Sequence, residues 1–458
     1  PVAVVTSLPT SRLSAFGRLK RPLAAPSAGE TVERPAQLEA KSPPLSGLAE
    51  NGASLDVDRE LLDLFSGEER EGGEAPPVLE PQPLVTEAAA PSPAAGAVIQ
   101  LQYAPRDWVA SPAGNLDAGL YEPYVVQSMV IEGAKPHPSV LVQSAAMASV
   151  APPKPSYRPH LPEAVISSGL LSDAQLETIV YAGEAHGQQL GGSWVVNETF
   201  DALEAAPESA ENAVTFRRGF YLGDGTGAGK GRQVAGVVLD NWLKGRKKAL
   251  WISKSDKLLE DAQRDWAALG QEKLQIVPLS RFKQGTPVTL SEGILFTTYA
   301  TLRSDERQGP GGTVKASRLS QIIDWLGPDF DGVIVFDEAH AMANAAGEKG
   351  ARGDRSASQQ GRAGVRLQNA LPQARVLYVS ATGATTVSNL AYASRLGLWG
   401  STDMPFATRE AFVEAMEAGG IAAMEVLARD LKALGLYTAR ALSYTGVEVE
   451  MLEHQLSA

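Results

Sequence analysis

The sequence predicts an α/β protein, a parallel β-sheet flanked by helices, and three observations carry that prediction. Apolar runs of strand length, among them Ala249–Ile252, the unbroken Gly332–Phe336 and, with Arg375 as its one charged residue, Ala374–Val379, alternate with stretches of helical periodicity. Runs without polar interruption belong to strands covered on both faces. A glycine-dense loop, Gly223-Asp-Gly-Thr-Gly-Ala-Gly-Lys-Gly231, lies between the apolar Phe220-Tyr-Leu222 and the helix-periodic Gln233–Leu243. Several of the apolar runs end in acids or hydroxyls, which places polar chemistry at one edge of the sheet.

In chain order, residues 1–96 are rich in Pro, Ala, Ser, Gly and Glu and poor in aromatics, so they read as a disordered leader. Leu55–Phe65 is an exception, an amphipathic turn or two. Residues 97–165 bring Tyr103, Trp108, Tyr121 and Tyr124 among frequent prolines and read as an extended lead-in packed on the following lobe. The lobe itself spans 166–400. It opens with a helix from Leu171 to Tyr181, where Ser172-x-x-Gln175 is a capping-box pattern. Trp194–Ala213 reads as an insertion before the first core strand.

Next comes the glycine loop. Its glycines let successive backbone N–H groups turn toward one anion, the following helix adds the positive end of its dipole, and Lys230 supplies a mobile cation. Gly225, Thr226, Gly227, Ala228, Gly229, Lys230, Gly231 and Arg232 are therefore the candidate phosphate-binding residues. Two positions depart from the strict G-x-x-x-x-G-K-[ST] pattern. Asp224 stands at the first glycine, and Gly231 stands where a hydroxyl would hold magnesium.

Further strands are expected at Ala249–Ile252, Leu274–Val277 and Gly293–Phe296, with a mobile loop at Ser304–Lys315. The first of these strands ends in Ser253-Lys254-Ser255 and the third in Thr297-Thr298, candidate nucleic-acid contacts on one rim. Capping of the next helix explains those hydroxyls equally simply. The run Gly332–Phe336 ends in Asp337-Glu338-Ala339-His340. An acid pair at a strand's carboxyl end, beside a phosphate loop, suits Asp337 to magnesium and Glu338 to polarising a water. Ala374–Val379 ends in Ser380-Ala-Thr382. Finally, Phe412, Val413, Met416, Met424, Leu427, Leu431 and Leu434 form a helical apolar stripe in a C-terminal helical extension, 401–458, which reads as leading toward a missing second lobe.

Composition bounds the function. The chain has 458 residues and no cysteine, which excludes disulfides and cysteine-ligated zinc. Net charge is −12, with eight Lys and Arg against fourteen Asp and Glu in residues 1–100. A nucleic-acid coat is excluded, whereas a protein gripping nucleic acid transiently needs a basic groove rather than a basic total. The candidate stripes are Arg217-Arg218, Lys244–Lys248 and the arginines from Arg352 to Arg366. No apolar stretch reaches membrane-spanning length, so no membrane partner and a cytoplasmic location are expected. The chain begins with Pro1, which is read as a fragment.

The Gly-Lys loop, Asp-Glu-Ala-His and Ser-Ala-Thr, in that order, resemble motifs I, II and III of the superfamily-2 helicases and translocases, whose motor lobes are RecA-like P-loop NTPases. With Trp251–Leu258 and Phe296–Tyr299, and with Gly-Lys-Gly-Arg in place of Gly-Lys-Thr, the chain resembles the strawberry notch family from about Tyr121 onward. The resemblance implies ATP and Mg2+ as cofactors, Lys230 on the phosphates, Asp337 on the metal, Glu338 on the attacking water, and His340, Ser380 and Thr382 in the coupling step. It also offers Gln175 as a reader of the adenine edge. DNA and a second RecA-like lobe are the implied partners. Without that lobe's arginine, a group worth ~10³–10⁵ in rate, the chain should bind nucleotide but turn over slowly. An ATP-regulated scaffold or transcriptional co-regulator that does not move on DNA, and more distantly a P-loop kinase, remain open as alternatives.

Overall fold

The computed structural model describes residues 97–108, 121–303, 307–308, 314–315, 317–343, 345, 358–381, 390–400 and 406–444, all within the unit Ala89–Ala458. The leader predicted for 1–96 and the Leu55–Phe65 turn lie outside the described residues, as do Thr382, Arg352 and the chain beyond Tyr444.

The frame is a seven-stranded sheet. In chain order its strands are β1 (Phe220–Leu222), β2 (Lys248–Ser253), β3 (Ile276–Pro278), β4 (Gly293–Thr298), β5 (Val333–Asp337), β6 (Arg375–Val379) and β7 (Tyr437–Thr438). In space they run β3-β4-β2-β5-β6-β1-β7, and each neighbouring pair is parallel. The apolar runs therefore sit where unbroken hydrophobicity demands, in the middle of the sheet. Leu250, Ile252, Ile334, Val335, Phe336, Leu377 and Tyr378 are wholly buried.

Helix α1 (Asp173–His186) precedes β1, and α2 (Lys230–Leu243), α3 (Leu258–Ala267), α4 (Arg318–Leu326), α5 (Gln359–Ala370) and α6 (Arg409–Ala433) lie between successive strands. The capping box at α1 is formed in full, with Ser172 accepting from the Gln175 amide and the Gln175 side chain accepting from the Ser172 amide. Thr408 caps α6, whose buried side is Phe412, Met416, Met424, Leu427 and Leu431. Leu434, expected in that stripe, is 41% exposed, because the helix ends there and the chain turns at Gly435. Within α6, Gly420 leaves helical geometry at φ 56°, ψ −144°, and kinks it.

Two parts of the chain differ from expectation. Ser304–Lys315, read as a loop, contains a short antiparallel pair, Arg307–Gln308 with Val314–Lys315. Residues 437–442 do not lead away from the lobe. Tyr437–Thr438 extend the sheet beside β1, and Ala441–Leu442 join an antiparallel sheet with Leu141–Ser144 and Tyr121–Pro123. Apolar burial explains it: Tyr437 packs against Tyr221 with ring centroids 5.6 Å apart. Lys432 of α6 also donates to Gln143 Oε1 at 2.9 Å and to the Met147 carbonyl at 2.6 Å, tying α6 to residues of the lead-in. The insertion expected at 194–213 holds a hairpin, Ser193–Val196 with Leu203–Ala206.

Candidate functional site

β1 ends at Leu222 and α2 starts at Lys230, so the seven residues between them turn the chain from sheet to helix. Gly227 and Gly229 make the turn at φ 88° and 76°, the left-handed region that a side chain resists. Gly229 is the N-cap of α2, and the first-turn amides of any helix lack intrahelical acceptors. Thr226 and Gly227 are exposed, while Gly225, Gly229, Lys230 and Gly231 are half-buried. The result is a shallow cradle at the positive end of a helix, in which the Gly225 and Ala228 amides are bonded to the Arg440 and Gly225 carbonyls and the amides of Thr226, Gly227 and the first helical turn are left to face the opening.

The cradle is braced from behind. Gln233 donates to Asp224 Oδ2 at 3.0 Å and to the Ala228 carbonyl at 3.2 Å, and Thr178 donates to Gln233 Oε1 at 2.6 Å. Gln175 Nε2 donates to the Ala228 carbonyl at 3.1 Å. Both ends of the Gln175 amide are thus committed, one to its own helix cap and one to the glycine loop. Arg440, in the sequence one arginine and too weak a signal to fill the second lobe's catalytic role, is only 2% exposed. Its guanidinium reaches Asp224 Oδ2 at 2.7 Å, Glu177 Oε2 at 3.3 Å and Thr178 Oγ1 at 2.6 Å. Asp224, the residue at the pattern's first glycine, therefore serves as an anchor, and Gly223 and Gly225 add backbone bonds to the Thr438 and Arg440 carbonyls. Sequence reasoning missed Arg440 because its partners lie more than two hundred positions away; the one signal was the anomalous Asp224.

β5 delivers Asp337 and Glu338 to the same edge of the sheet as the loop, with β6 alone between β5 and β1. Ser253, at the end of β2, donates to Asp337 Oδ2 at 2.8 Å, and the Glu338 amide donates to Asp337 Oδ1 at 3.0 Å. Burial, with the Glu338 charge adding to it, pushes the Asp337 carboxyl up to about 6 against those two bonds. Glu338 goes the other way. The bond from His340, with Nδ1 3.1 Å from Glu338 Oε2, holds its carboxyl below the usual range, helped by the charges of Lys230 and Lys254. Glu338 sits at φ 48°, a left-handed conformation costing ~1–3 kcal/mol for a residue with a side chain, of the sort that clusters at working sites. His340 Nδ1 also lies 3.1 Å from Ser380 Oγ at the end of β6.

Gly225, Thr226, Gly227, Ala228, Gly229, Lys230, Gly231, Arg232, Gln175, Asp337, Glu338, His340 and Ser380 thus gather around one edge. The nucleic-acid candidates divide. Lys254 is exposed and Ser255 half-buried at the approach to α3, but Ser253, Thr297 and Thr298 are turned inward and at most 4% exposed. Ser253 is spent on Asp337, and Thr298 caps the next helix through the Thr301 amide at 3.2 Å, so these hydroxyls do not face a ligand on the surface. The basic stripes are partly self-satisfied too: Arg246 pairs with Asp331 at 2.9 Å, and Arg362 and Arg366 both grip Asp201.

The implied cofactors fit the residues present. Unpaired loop amides and Lys230 suit phosphate oxygens. A carboxylate that burial pushes up to about 6 suits a hard divalent ion. Parallel sheet, glycine loop and acid pair together define a RecA-like P-loop NTPase lobe. The family model described as P-loop containing NTP hydrolase pore-1 matches residues 136–458. Strawberry notch homolog 2 of Homo sapiens is 42% identical over 74% of this chain and 22% of its own length. Strawberry notch of Drosophila melanogaster is 39% identical over 70% and 18%, and FORGETTER 1 of Arabidopsis thaliana 38% over 70% and 23%. The chain belongs to the strawberry notch family of P-loop NTP hydrolases, and it spans about a fifth of the length of those relatives. Among solved structures, the Sulfolobus solfataricus SWI2/SNF2 ATPase core in complex with dsDNA aligns at 18% identity and a TM-score of 0.33, over 49% of this chain and 40% of that one. Dbp5 of S. cerevisiae bound to RNA and ADP BeF3 aligns at 15% and 0.27, over 39% and 40%.

Proposed function

We propose that this lobe binds ATP with Mg2+ and hydrolyses it as the first half of a nucleic-acid-dependent, helicase-like motor. The observation that carries the reading is the opposite tuning of two adjacent acids, Asp337 raised and Glu338 lowered, on the rim that also bears the Lys230 loop. Environments that push paired carboxyls apart assign them different work. Lys230 and the loop amides bind and orient the phosphates, and Asp337 holds the metal, which neutralises phosphate charge when bound. Glu338, ionised at neutral pH, takes the proton of the attacking water. His340, between Glu338 and Ser380, links the state of that base to the end of β6, where Ser380 and Thr382 begin the coupling segment. Exposed Lys254 and Ser255, on the same rim, supply contacts for a phosphate backbone, and DNA is the expected partner. The second lobe is expected from the longer chains of the relatives.

The test uses the chain extended by its second lobe. ATPase rate is measured with and without DNA for the parent and for Glu338→Gln. Stimulation by DNA, with Glu338→Gln binding ATP normally but turning over ~10²–10⁴-fold more slowly, is the expected result. Full activity in Glu338→Gln removes the base assignment. An ATPase indifferent to DNA favours the ATP-regulated scaffold.

A further inference from the structure

The loop lacks the hydroxyl that ordinarily follows the P-loop lysine, because Gly231 occupies that place. The space a side chain would fill there is taken. A Cβ built on Gly231 would lie 1.9 Å from Asp265 Oδ2 and 2.8 Å from its Cγ, so this carboxylate stands about where the hydroxyl of a serine would be. Asp265 reaches the position from α3, which packs beside α2.

The carboxylate is poorly matched by its protein neighbours. Its nearest cation is Arg232, with Nε 3.9 Å from Oδ1, beyond hydrogen-bonding distance. Among the described residues no group donates a hydrogen bond to it, and its side chain is 24% exposed. Taking a carboxylate out of water without a donor is unfavourable. Desolvation accordingly pushes its carboxyl up, with Arg264 and Arg232 only partly opposing. Such a group, placed at the vacated ligand position of an NTPase loop, is kept for something that arrives from outside the protein.

We infer that Asp265 replaces the missing loop hydroxyl as the second protein oxygen for the divalent cation, alongside Asp337. This rests on the reading of the loop and Asp337 as an ATP·Mg2+ site. It also accounts for glycine at 231: a serine or threonine there collides with Asp265, so the two solutions exclude each other. A carboxylate adds a charge that the hydroxyl lacks, which strengthens the cation's grip.

Mn2+ is the probe, followed by the paramagnetic resonance of its free form, in the presence of saturating ATP. Asp265→Asn should weaken Mn2+ ~10–100-fold, the range seen when a supporting metal contact is removed. ATP affinity without metal should stay within about two-fold of the parent. A second pair controls for misfolding and for a purely structural role. Asp265→Ala should be as weak as Asp265→Asn, and Gly231→Ser combined with Asp265→Ala should regain most of the Mn2+ affinity, since the hydroxyl then returns to the site. Unchanged Mn2+ affinity in Asp265→Asn overturns the inference, as does a double variant no better than Asp265→Ala. Failure of the parent itself to bind ATP and Mn2+ together overturns the proposed function instead, so the two failures are distinguishable.

Discussion

Replacing Ser253 by alanine probes how the sheet sets the charge of Asp337. β2 and β5 are neighbours, so Ser253 and Asp337 end side by side, and the hydroxyl donates to Oδ2 at 2.8 Å. Burial lifts the Asp337 carboxyl to about 6, and this bond is the foremost restraint on a further rise. A hydrogen bond to a charged group is worth ~1.5–3 kcal/mol, and one pH unit of midpoint corresponds to ~1.4 kcal/mol. Taking the low end, because Asp337 is half-buried rather than sealed, the variant's midpoint should rise by roughly one pH unit. At pH 6 the parent is then half ionised and the variant about a tenth, so metal affinity should be about five-fold weaker in the variant. Above about pH 8 the two should converge. The assay is Mn2+ affinity with saturating nucleotide between about pH 5 and 8.5. Superimposable curves refute the reasoning. A constant offset at every pH also refutes it, because Ser253 would then place the carboxylate without setting its titration.

Three other outcomes follow from the same geometry. Arg440→Met leaves Asp224 and Glu177 buried without their cation, and urea unfolding should show a loss of ~3–5 kcal/mol, partly recovered by adding Asp224→Ala. Gly229→Ala forces a side chain to φ 76° and to 2.3 Å from Gln175 Nε2. It should lower ATP affinity ~5–30-fold through ~1–2 kcal/mol of distortion, and pairing it with Gln175→Ala should recover part of the loss. His186 is fully buried beside the Val376 carbonyl, and burial drives its imidazole down to about 3. Its contribution to stability is therefore complete above the ordinary value near 6.5 and is lost as pH falls toward 3. The unfolding free energy should fall by up to ~1.4 kcal/mol per pH unit in that window, and His186→Gln should flatten the slope between about pH 5 and 6.5.

The sheet and the polar rim at its edge were legible because both are written in contiguous residues. An unbroken run such as Gly332–Phe336 has one economical structure, and the acids that end it can only stand at the strand's carboxyl edge. The glycine loop likewise specifies its own turn, as the positive φ at Gly227 and Gly229 shows. What the sequence hid are pairings between distant segments. Nothing local to Arg440 points to Asp224, and nothing in the amphipathic α3 singles out Asp265 from its acidic neighbours Glu260 and Asp261. The rim hydroxyls failed for a related reason. Ser253, Thr297 and Thr298 lie at strand ends as expected, but the strands there are still buried, so the hydroxyls turn to Asp337, to a helix cap or inward. The two-residue β7 was invisible because its stability comes from Tyr221 and the β1 backbone, not from its own pattern.

Calorimetric titration with ATP, with and without Mg2+, on the parent, Lys230→Ala and Asp337→Asn tests the central claim most directly. The account predicts one site per chain that tightens when metal is added, vanishes in Lys230→Ala, and persists in Asp337→Asn with its dependence on metal largely gone. Equal binding by the parent and Lys230→Ala, or no binding by the parent with Mg2+ present, would contradict it.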